Sequence, residues 1–249
     1  MTTTGIGQGH DRLHLVANHV LVWQGRKGVN LILKRWDVFL CLLLQMVFLA
    51  WPEIDLLVSG WFYRPGEGFF LGQQPLVQFS YRVFADLHWL VLPLLLILLL
   101  WGLFCRLTTR PYVFLLLVLI IGPGLLVNSV LKAESGRARP ATVTEFGGVR
   151  SFSGAFVKAH QCENNCSFVS GHAAMGFYLL ALAWVFGKRR WLLLGTLLGA
   201  LVGLGRIMQG AHFLSDVVFS FWVVYFTSLV LAGLFFGDGR IRRALLEAG

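Results

Sequence analysis

Two runs of the chain, Val91 to Phe104 and Val113 to Val130, contain no charged residue at all, and a water-soluble fold has nowhere to put several such stretches. A bilayer does, because a spanning helix needs about 20 mostly apolar residues and satisfies its own backbone groups. Composition agrees. Of 249 residues, 57% are apolar and 13% are charged, against roughly 25% charged in an ordinary soluble domain. The expected fold class is therefore all-α, a polytopic membrane helical bundle.

Six spans are predicted: Asp37 to Trp51, Phe84 to Phe104, Pro111 to Leu131, Ser170 to Gly187, Trp191 to Met208 and Phe213 to Phe236. The first is short, ending before Pro52, Glu53 and Asp55. It either tilts or continues amphipathically through Leu56, Leu57 and Trp61. Residues 1–36 then form a cytoplasmic tail, 37–236 the six-span domain, and 237–249 a second cytoplasmic tail. The first 30 residues lack the apolar core of a cleaved signal peptide.

Lys and Arg near span ends favour the cytoplasm. Arg26, Lys27, Lys34 and Arg35, then Arg106 and Arg110, then Lys188, Arg189 and Arg190, and finally Arg240, Arg242 and Arg243 all fall on one side of a six-span arrangement. This predicts both termini inside. The same clustering accounts for the net charge of +9 without a nucleic-acid partner, since no continuous basic stripe exists.

Lys132, Arg137, Arg139 and Arg206 break that rule, because they lie on the outer side. They need a functional reason. The outer side also carries an aromatic stretch, Trp61 to Phe79, expected to act as an interfacial helix, a lid or a simple anchor. Cys162 and Cys166, also outer, are spaced for a small closed loop. A disulfide is favoured over a metal site, because no second pair or adjacent histidine completes a zinc pattern.

Three outer segments hold the chemistry. Leu131 to Pro140 reads L-K-A-E-S-G-R-A-R-P, with only Glu134 nearby to neutralise three cations. A phosphate would supply the missing charge, although snorkelling to headgroups is the structural alternative. Ser167 to Ala173 reads S-F-V-S-G-H-A and opens the fourth span. There Ser170 and Gly171 present helix N-terminal amides suited to an anion, and His172 is placed to protonate a leaving oxygen. Gly205 to Asp216 contains Arg206, His212 and Asp216, the last two four residues apart and so on one helical face. The carboxylate can orient one imidazole nitrogen while the other attacks phosphorus. Arg206 would brace the phosphate oxygens. A purely architectural His–Asp pair is the plainer reading of that segment alone.

Taken together, the three segments resemble the type 2 phosphatidic acid phosphatase superfamily, which includes lipid phosphatases and vanadium haloperoxidases. The pattern K-x6-R-P matches Lys132, Arg139 and Pro140; P-S-G-H matches Ser170, Gly171 and His172 with Val169 in place of proline; S-R-x5-H-x3-D matches Arg206, His212 and Asp216 with Gly205 in place of serine. The likeness runs from about Phe84 to Phe236. It implies a metal-independent phosphatase without a cofactor, in which His212 becomes a phosphohistidine, Asp216 orients it and His172 is the acid. Lys132, Arg139, Arg206 and the Ser170–Gly171 backbone would hold the phosphate.

The stretch Phe62 to Phe70, the cysteine pair and S-F-V-S-G-H are further similar to bacterial membrane phosphatases of the lipid A type, which act at the periplasmic side of the inner membrane. The substrate implied is a phosphomonoester on a phospholipid or glycolipid in the bilayer, with lipid A favoured. Undecaprenyl diphosphate, phosphatidate and phosphatidylglycerol phosphate are the competing substrates. A lipid phosphotransferase and a non-catalytic lipid-binding or lipid-moving protein are the competing functions.

Overall fold

A computed structural model describes residues 35–246. The basic residues Arg26, Lys27 and Lys34, and most of the predicted N-terminal tail, lie outside the described residues. The chain divides into two compact units, residues 1–47 and 48–249. In the first, the described residues form most of helix α1 (Trp36–Ala50), whose apolar side chains are largely exposed. The second unit contains every candidate site residue.

Its order is α2 (Glu53–Gly60), a two-stranded antiparallel hairpin β1 (Tyr63–Arg64) and β2 (Gly68–Phe69), then α3 (Pro75–Phe104) and α4 (Arg110–Leu119). A π-helical stretch, Ile120–Leu131, continues α4 into the short α5 (Lys132–Ser135). After a long loop come α6 (Gly171–Phe177), a 3-10 turn Tyr178–Ala181 and α7 (Leu182–Phe186), followed by α8 (Arg189–Met208), α9 (Leu214–Phe236) and α10 (Asp238–Leu246).

The helical membrane architecture is as expected, but the number of spans is not settled at six. Four helices are long and apolar enough to cross: Pro75–Phe104, the continuous Arg110–Thr142, Arg189–Met208 and Leu214–Phe236. The pair broken at Pro52, Trp36–Ala50 with Glu53–Gly60, would make five. Gly171–Phe186, expected as the fourth span, is a shorter apolar helix. Gly187 ends it in the left-handed conformation at φ +65°, the usual role of glycine after a helix.

Burial is graded through the second unit. In α3 only Leu95 and Gly102 are buried, while Leu90, Ile97, Leu100, Trp101 and Phe104 face outward. Such a surface belongs against lipid chains. In α9 the buried positions include Ser215, Asp216, Phe219, Trp222, Tyr225, Leu229 and Ala232, so this helix is packed on nearly all sides.

Close approach comes from small residues. A Cβ built on Gly195, Gly199 or Gly203 of α8 would fall within 2.2 Å of Leu180, Phe177 or Val217 respectively. Glycines four apart thus let α8 press against both α6–α7 and α9.

Two regions outside the long helices take up defined structure. Within the aromatic stretch, Tyr63–Arg64 and Gly68–Phe69 form the β1–β2 hairpin, with Tyr63, Phe69 and Phe146 rings 5.2–5.6 Å apart. The first residues after the last long helix form α10, with Ile241 and Ala244 buried.

Candidate active site

Gly136 ends α5 at φ +56°, where an added Cβ would stand 1.8 Å from the Ala159 carbonyl. Only glycine fits. The chain turns there so that Arg137 goes inward while Lys132 and Arg139 stay with the loop that carries Asn165.

Arg137, within the first motif but assigned no site role from sequence, is 1% exposed. Its Nε donates to the Ser153 carbonyl at 2.9 Å, Nη1 to Asp216 Oδ1 at 2.6 Å and Ser215 Oγ at 2.8 Å, and Nη2 to Asp55 Oδ2 at 2.8 Å. Its guanidinium also lies 4.2 Å from the Phe213 ring centroid. Asp55, fully buried on α2, accepts in addition from Ser215 N at 2.8 Å and Ser215 Oγ at 2.6 Å. The counter-charge for this arginine is therefore supplied by Asp55 and Asp216. Glu134, the neutraliser expected from sequence, pairs instead with Lys158 at the surface, 3.4 Å away.

Lys132 Nζ donates to the Asn165 side-chain oxygen at 3.0 Å, and Arg139 Nη2 to the Asn165 backbone carbonyl at 2.8 Å. Asn165 lies in the loop closed by the disulfide Cys162–Cys166, the pairing favoured from sequence.

Ser170 caps α6: its hydroxyl accepts from Ala173 N at 3.4 Å, its own N–H donates to the Asp216 carbonyl at 3.1 Å, and its carbonyl accepts from Ser220 Oγ at 2.8 Å. Gly171 is needed for close approach, since a Cβ there would lie 2.7 Å from Asn128 Oδ1 and 3.4 Å from Lys132 Nζ. This brings the second motif against the first.

His172 stacks on Tyr81 of α3, with centroids 5.0 Å apart and planes inclined by 20°. The Arg206 guanidinium lies 4.7 Å from the centroid of that same ring, and Nη1 donates to Gln209 Oε1. Tyr81 thus joins the second and third motifs, a role unread in the sequence because α3 was expected to begin only at Phe84.

His212, in the turn between α8 and α9, is completely buried. Its Nδ1 lies 2.8 Å from the Ser167 carbonyl and 3.4 Å from Asp216 Oδ2. The carboxylate is beside the ring as anticipated, but the carbonyl is the nearer acceptor. We assign the Nδ1–H to it, leaving Nε2 with the lone pair. Asp216 Oδ2 meanwhile accepts from Ser167 Oγ and from Phe213 N at 2.8 Å. Burial pushes the His212 imidazole down to about 4 from the usual 6.5, with Asp216 opposing the shift and Arg206 and Lys132 adding to it.

Among the described residues, Nε2 of His212 and Nε2 of His172 are buried with no hydrogen-bond partner. A neutral imidazole with one nitrogen tied down and the other free is set up for nucleophilic attack. Three cations beside it suit an anionic electrophile.

Two cavities border the site, one at Lys132 and His172 and the other at Arg206. One of about 620 Å³ is mostly apolar, lined by Phe84, Leu92, Leu119 and Met175, and reaches Lys132 and His172. The other, about 520 Å³, is more polar, lined by Gln73, Gln78 and Gln209 beside Tyr81 and Arg206.

All eight residues expected at the site are thus brought into one neighbourhood. Arg137, Asp55, Ser167, Tyr81 and Asn165 were not anticipated there.

The profile of the PAP2 superfamily matches residues 111–240. A lipid A 4'-phosphatase of Francisella tularensis subsp. novicida is 37% identical over 208 residues, covering 74% of this chain and 90% of that protein. A lipid A 4'-phosphatase of Rhizobium leguminosarum is 45% identical over 103 residues, 40% of this chain and 44% of that protein. A lipid A 1-phosphatase of Rhizobium johnstonii is 35% identical over 124 residues, 47% and 48% of the two chains. No solved structure matches.

Proposed function

Since the chain belongs to the PAP2 superfamily, we propose that it is an integral membrane phosphatase that hydrolyses a phosphomonoester of lipid A, at the 4' position. The relative that matches over most of both chains is named for that reaction, and the lipid A 1-phosphatase is less similar over a shorter stretch. The cavities favour an amphipathic substrate, with acyl chain toward Leu92 and Met175 and headgroup toward Gln73 and Gln209.

One observation carries the mechanism: buried His212 has Nδ1 beside the Ser167 carbonyl and Asp216, and Nε2 without a partner among the described residues. Nε2 attacks phosphorus in line as the bond from phosphorus to the lipid oxygen breaks. His172, protonated from solvent once the phosphate dianion lies beside it, delivers that proton to the lipid oxygen, releasing the lipid alcohol. Lys132, Arg139, Arg206 and the Gly171 amide hold the phosphoryl oxygens, the Ser170 amide being engaged by the Asp216 carbonyl, and Asp216 compensates the positive charge that develops on the imidazole. In the second half, His172 takes a proton from water, which attacks the phosphohistidine and frees phosphate.

The site then faces the periplasm from a bacterial inner membrane, with residues 37–236 as the catalytic domain and both termini cytoplasmic. The basic clusters at Arg106, Arg110 and Lys188 to Arg190 support that orientation.

Purified protein given lipid A bearing both phosphates tests the reading, with the lipid product analysed by mass spectrometry. Loss of the 4' phosphate alone is expected, and His212→Ala should release none. Full activity in His212→Ala would overturn the mechanism, whereas loss of only the 1-phosphate would overturn the position. Transfer of the phosphate to an added lipid instead of water would make the protein a phosphotransferase.

A further inference from the structure

Lys132 and Arg139 converge on one residue through two different oxygens, and that residue is not a carboxylate. Asn165 offers its side-chain carbonyl to Lys132 at 3.0 Å and its backbone carbonyl to Arg139 at 2.8 Å. Neither cation has a salt bridge among the described residues. The backbone of Asn165 is left-handed, φ +51°, a conformation that asparagine and glycine tolerate and most side chains do not.

The loop holding it is pinned at its end. Cys166 is fully buried and bridged to Cys162. The next residue, Ser167, donates its N–H to the Arg137 carbonyl at 2.9 Å and gives its own carbonyl and hydroxyl to His212 and Asp216. One short stretch therefore touches two phosphate cations, the nucleophile and the residue that orients it.

We propose that Asn165 is a positioning residue of the phosphate site: its two carbonyl oxygens hold Lys132 and Arg139 in phosphate-accepting positions, and the Cys162–Cys166 bridge holds Asn165 over them. This rests on the reading that those cations bind phosphate. A neutral amide suits the task. It orders two long side chains whose freedom would otherwise be lost only on binding, yet leaves their charge uncancelled. An arriving phosphate makes charge-assisted hydrogen bonds roughly twice as strong as those with neutral oxygens, so it displaces or outweighs them. A carboxylate at the same place would compete with the substrate.

Three changes in the full-length purified protein test this, with vanadate as the phosphate probe and steady-state kinetics on the lipid substrate. Asn165→Asp should weaken vanadate inhibition about tenfold or more, because an ionic partner now holds Lys132. Asn165→Gly keeps the backbone conformation and the carbonyl facing Arg139 but loses the amide. It should raise KM about two- to tenfold with kcat within about twofold. Cys162→Ser combined with Cys166→Ser should shift KM in the same direction.

Lys132→Ala and Arg139→Ala serve as references. If they lose vanadate affinity while Asn165→Asp binds as tightly as the parent, the role of Asn165 is overturned and the phosphate site stands. If the references also bind vanadate normally, the phosphate site itself is wrong. Should Asn165→Asp fail to fold, Asn165→Gly decides: unchanged KM, or parallel loss of kcat and melting temperature without a KM effect, marks a merely structural residue.

Discussion

Two sets of charged residues surround His212, and they are built on opposite rules. Behind the imidazole, Arg137 is shared between Asp55 and Asp216, with Ser215, Ser153 and Ser167 completing the hydrogen bonds. In front, among the described residues, Lys132 and Arg139 hydrogen-bond to the oxygens of Asn165, and Arg206 to Gln209 while lying over Tyr81. The first set is saturated with charge partners and buried. The second keeps its charge available. Within one family motif, Arg137 and Arg139 are separated by a single residue, so chemical type alone does not assign an arginine to substrate or to scaffold. The partners do.

The largest effect should come from exchanging those two arginines for alanine. Arg137→Ala leaves two carboxylates buried without their cation, and breaking a buried ion pair typically costs about 3–5 kcal/mol. Arg139→Ala removes a half-buried side chain held by one carbonyl and should change stability by less than about 1 kcal/mol. Activity should invert the ranking per unit of folded protein, with kcat/KM in Arg139→Ala down about 10²- to 10³-fold, as for loss of a preorganised transition-state donor. Denaturation in detergent and kinetics on the folded fraction check both. Equal stabilities for the two variants would break the division. A double-mutant cycle sharpens it: Asp55→Asn added to Arg137→Met should cost less than the sum of the single changes, since both act in one network.

A smaller effect concerns pH. His212 is buried and held down to about 4, mainly by desolvation. Its folded-state pKa is below the unfolded value near 6.5, so above pH 6.5 both states carry a neutral ring. As pH falls from 6.5 toward 4 the unfolded chain takes up a proton that the folded one does not, and this group's contribution to stability declines. The His212 ring stays neutral over that interval. Imidazole nitrogen NMR, with His212 identified by its loss in His212→Ala, should show its titration near pH 4. A midpoint at 6.5 would place the ring in water and cancel the argument that burial keeps it reactive.

How much of this was legible depended on the kind of signal. Lys132, Arg139, His172, Arg206, His212 and Asp216 were picked out by their motif spacings, and the cations among them by falling where the charge rule expects few. The all-helical membrane class followed from the apolar runs. Asp55 was not legible. It follows Pro52 in a segment that reads as an outer connection, and one acidic residue beside Leu56 and Leu57 announces no partner 82 positions away. Arg137 did stand out as a misplaced cation, but sequence gave it no direction. Gly136 was the available clue, since a left-handed turn between Lys132 and Arg139 breaks the helical phase. The 3-10 turn between α6 and α7 and the π-helical stretch were not anticipated, for a related reason. Hydropathy measures apolar content, whereas the 3-10 turn at Tyr178–Ala181 and the Pro123 interruption are backbone events. At Pro123 the missing N–H breaks the regular ladder, and Asn128 Nδ2 donates to its carbonyl at 2.8 Å.

Tyr81 offers the finest test of the contrast, because it belongs to neither set and touches the front one. Its ring stacks on His172 and lies under the Arg206 guanidinium, so an uncharged surface orients an imidazole and a guanidinium together. If the ring face is what matters, Tyr81→Phe should alter kcat/KM by less than about twofold, while Tyr81→Ala, losing a partly desolvated cation–π contact of roughly 1–2 kcal/mol, should lower it about tenfold. The effect in Tyr81→Ala should be smaller in a background already lacking Arg206, because one of the two groups it orients is gone. Equal damage from Tyr81→Phe and Tyr81→Ala would instead put the phenolic hydroxyl on the substrate, and Tyr81 would then join Lys132, Arg139 and Arg206 in the front set as a direct contact.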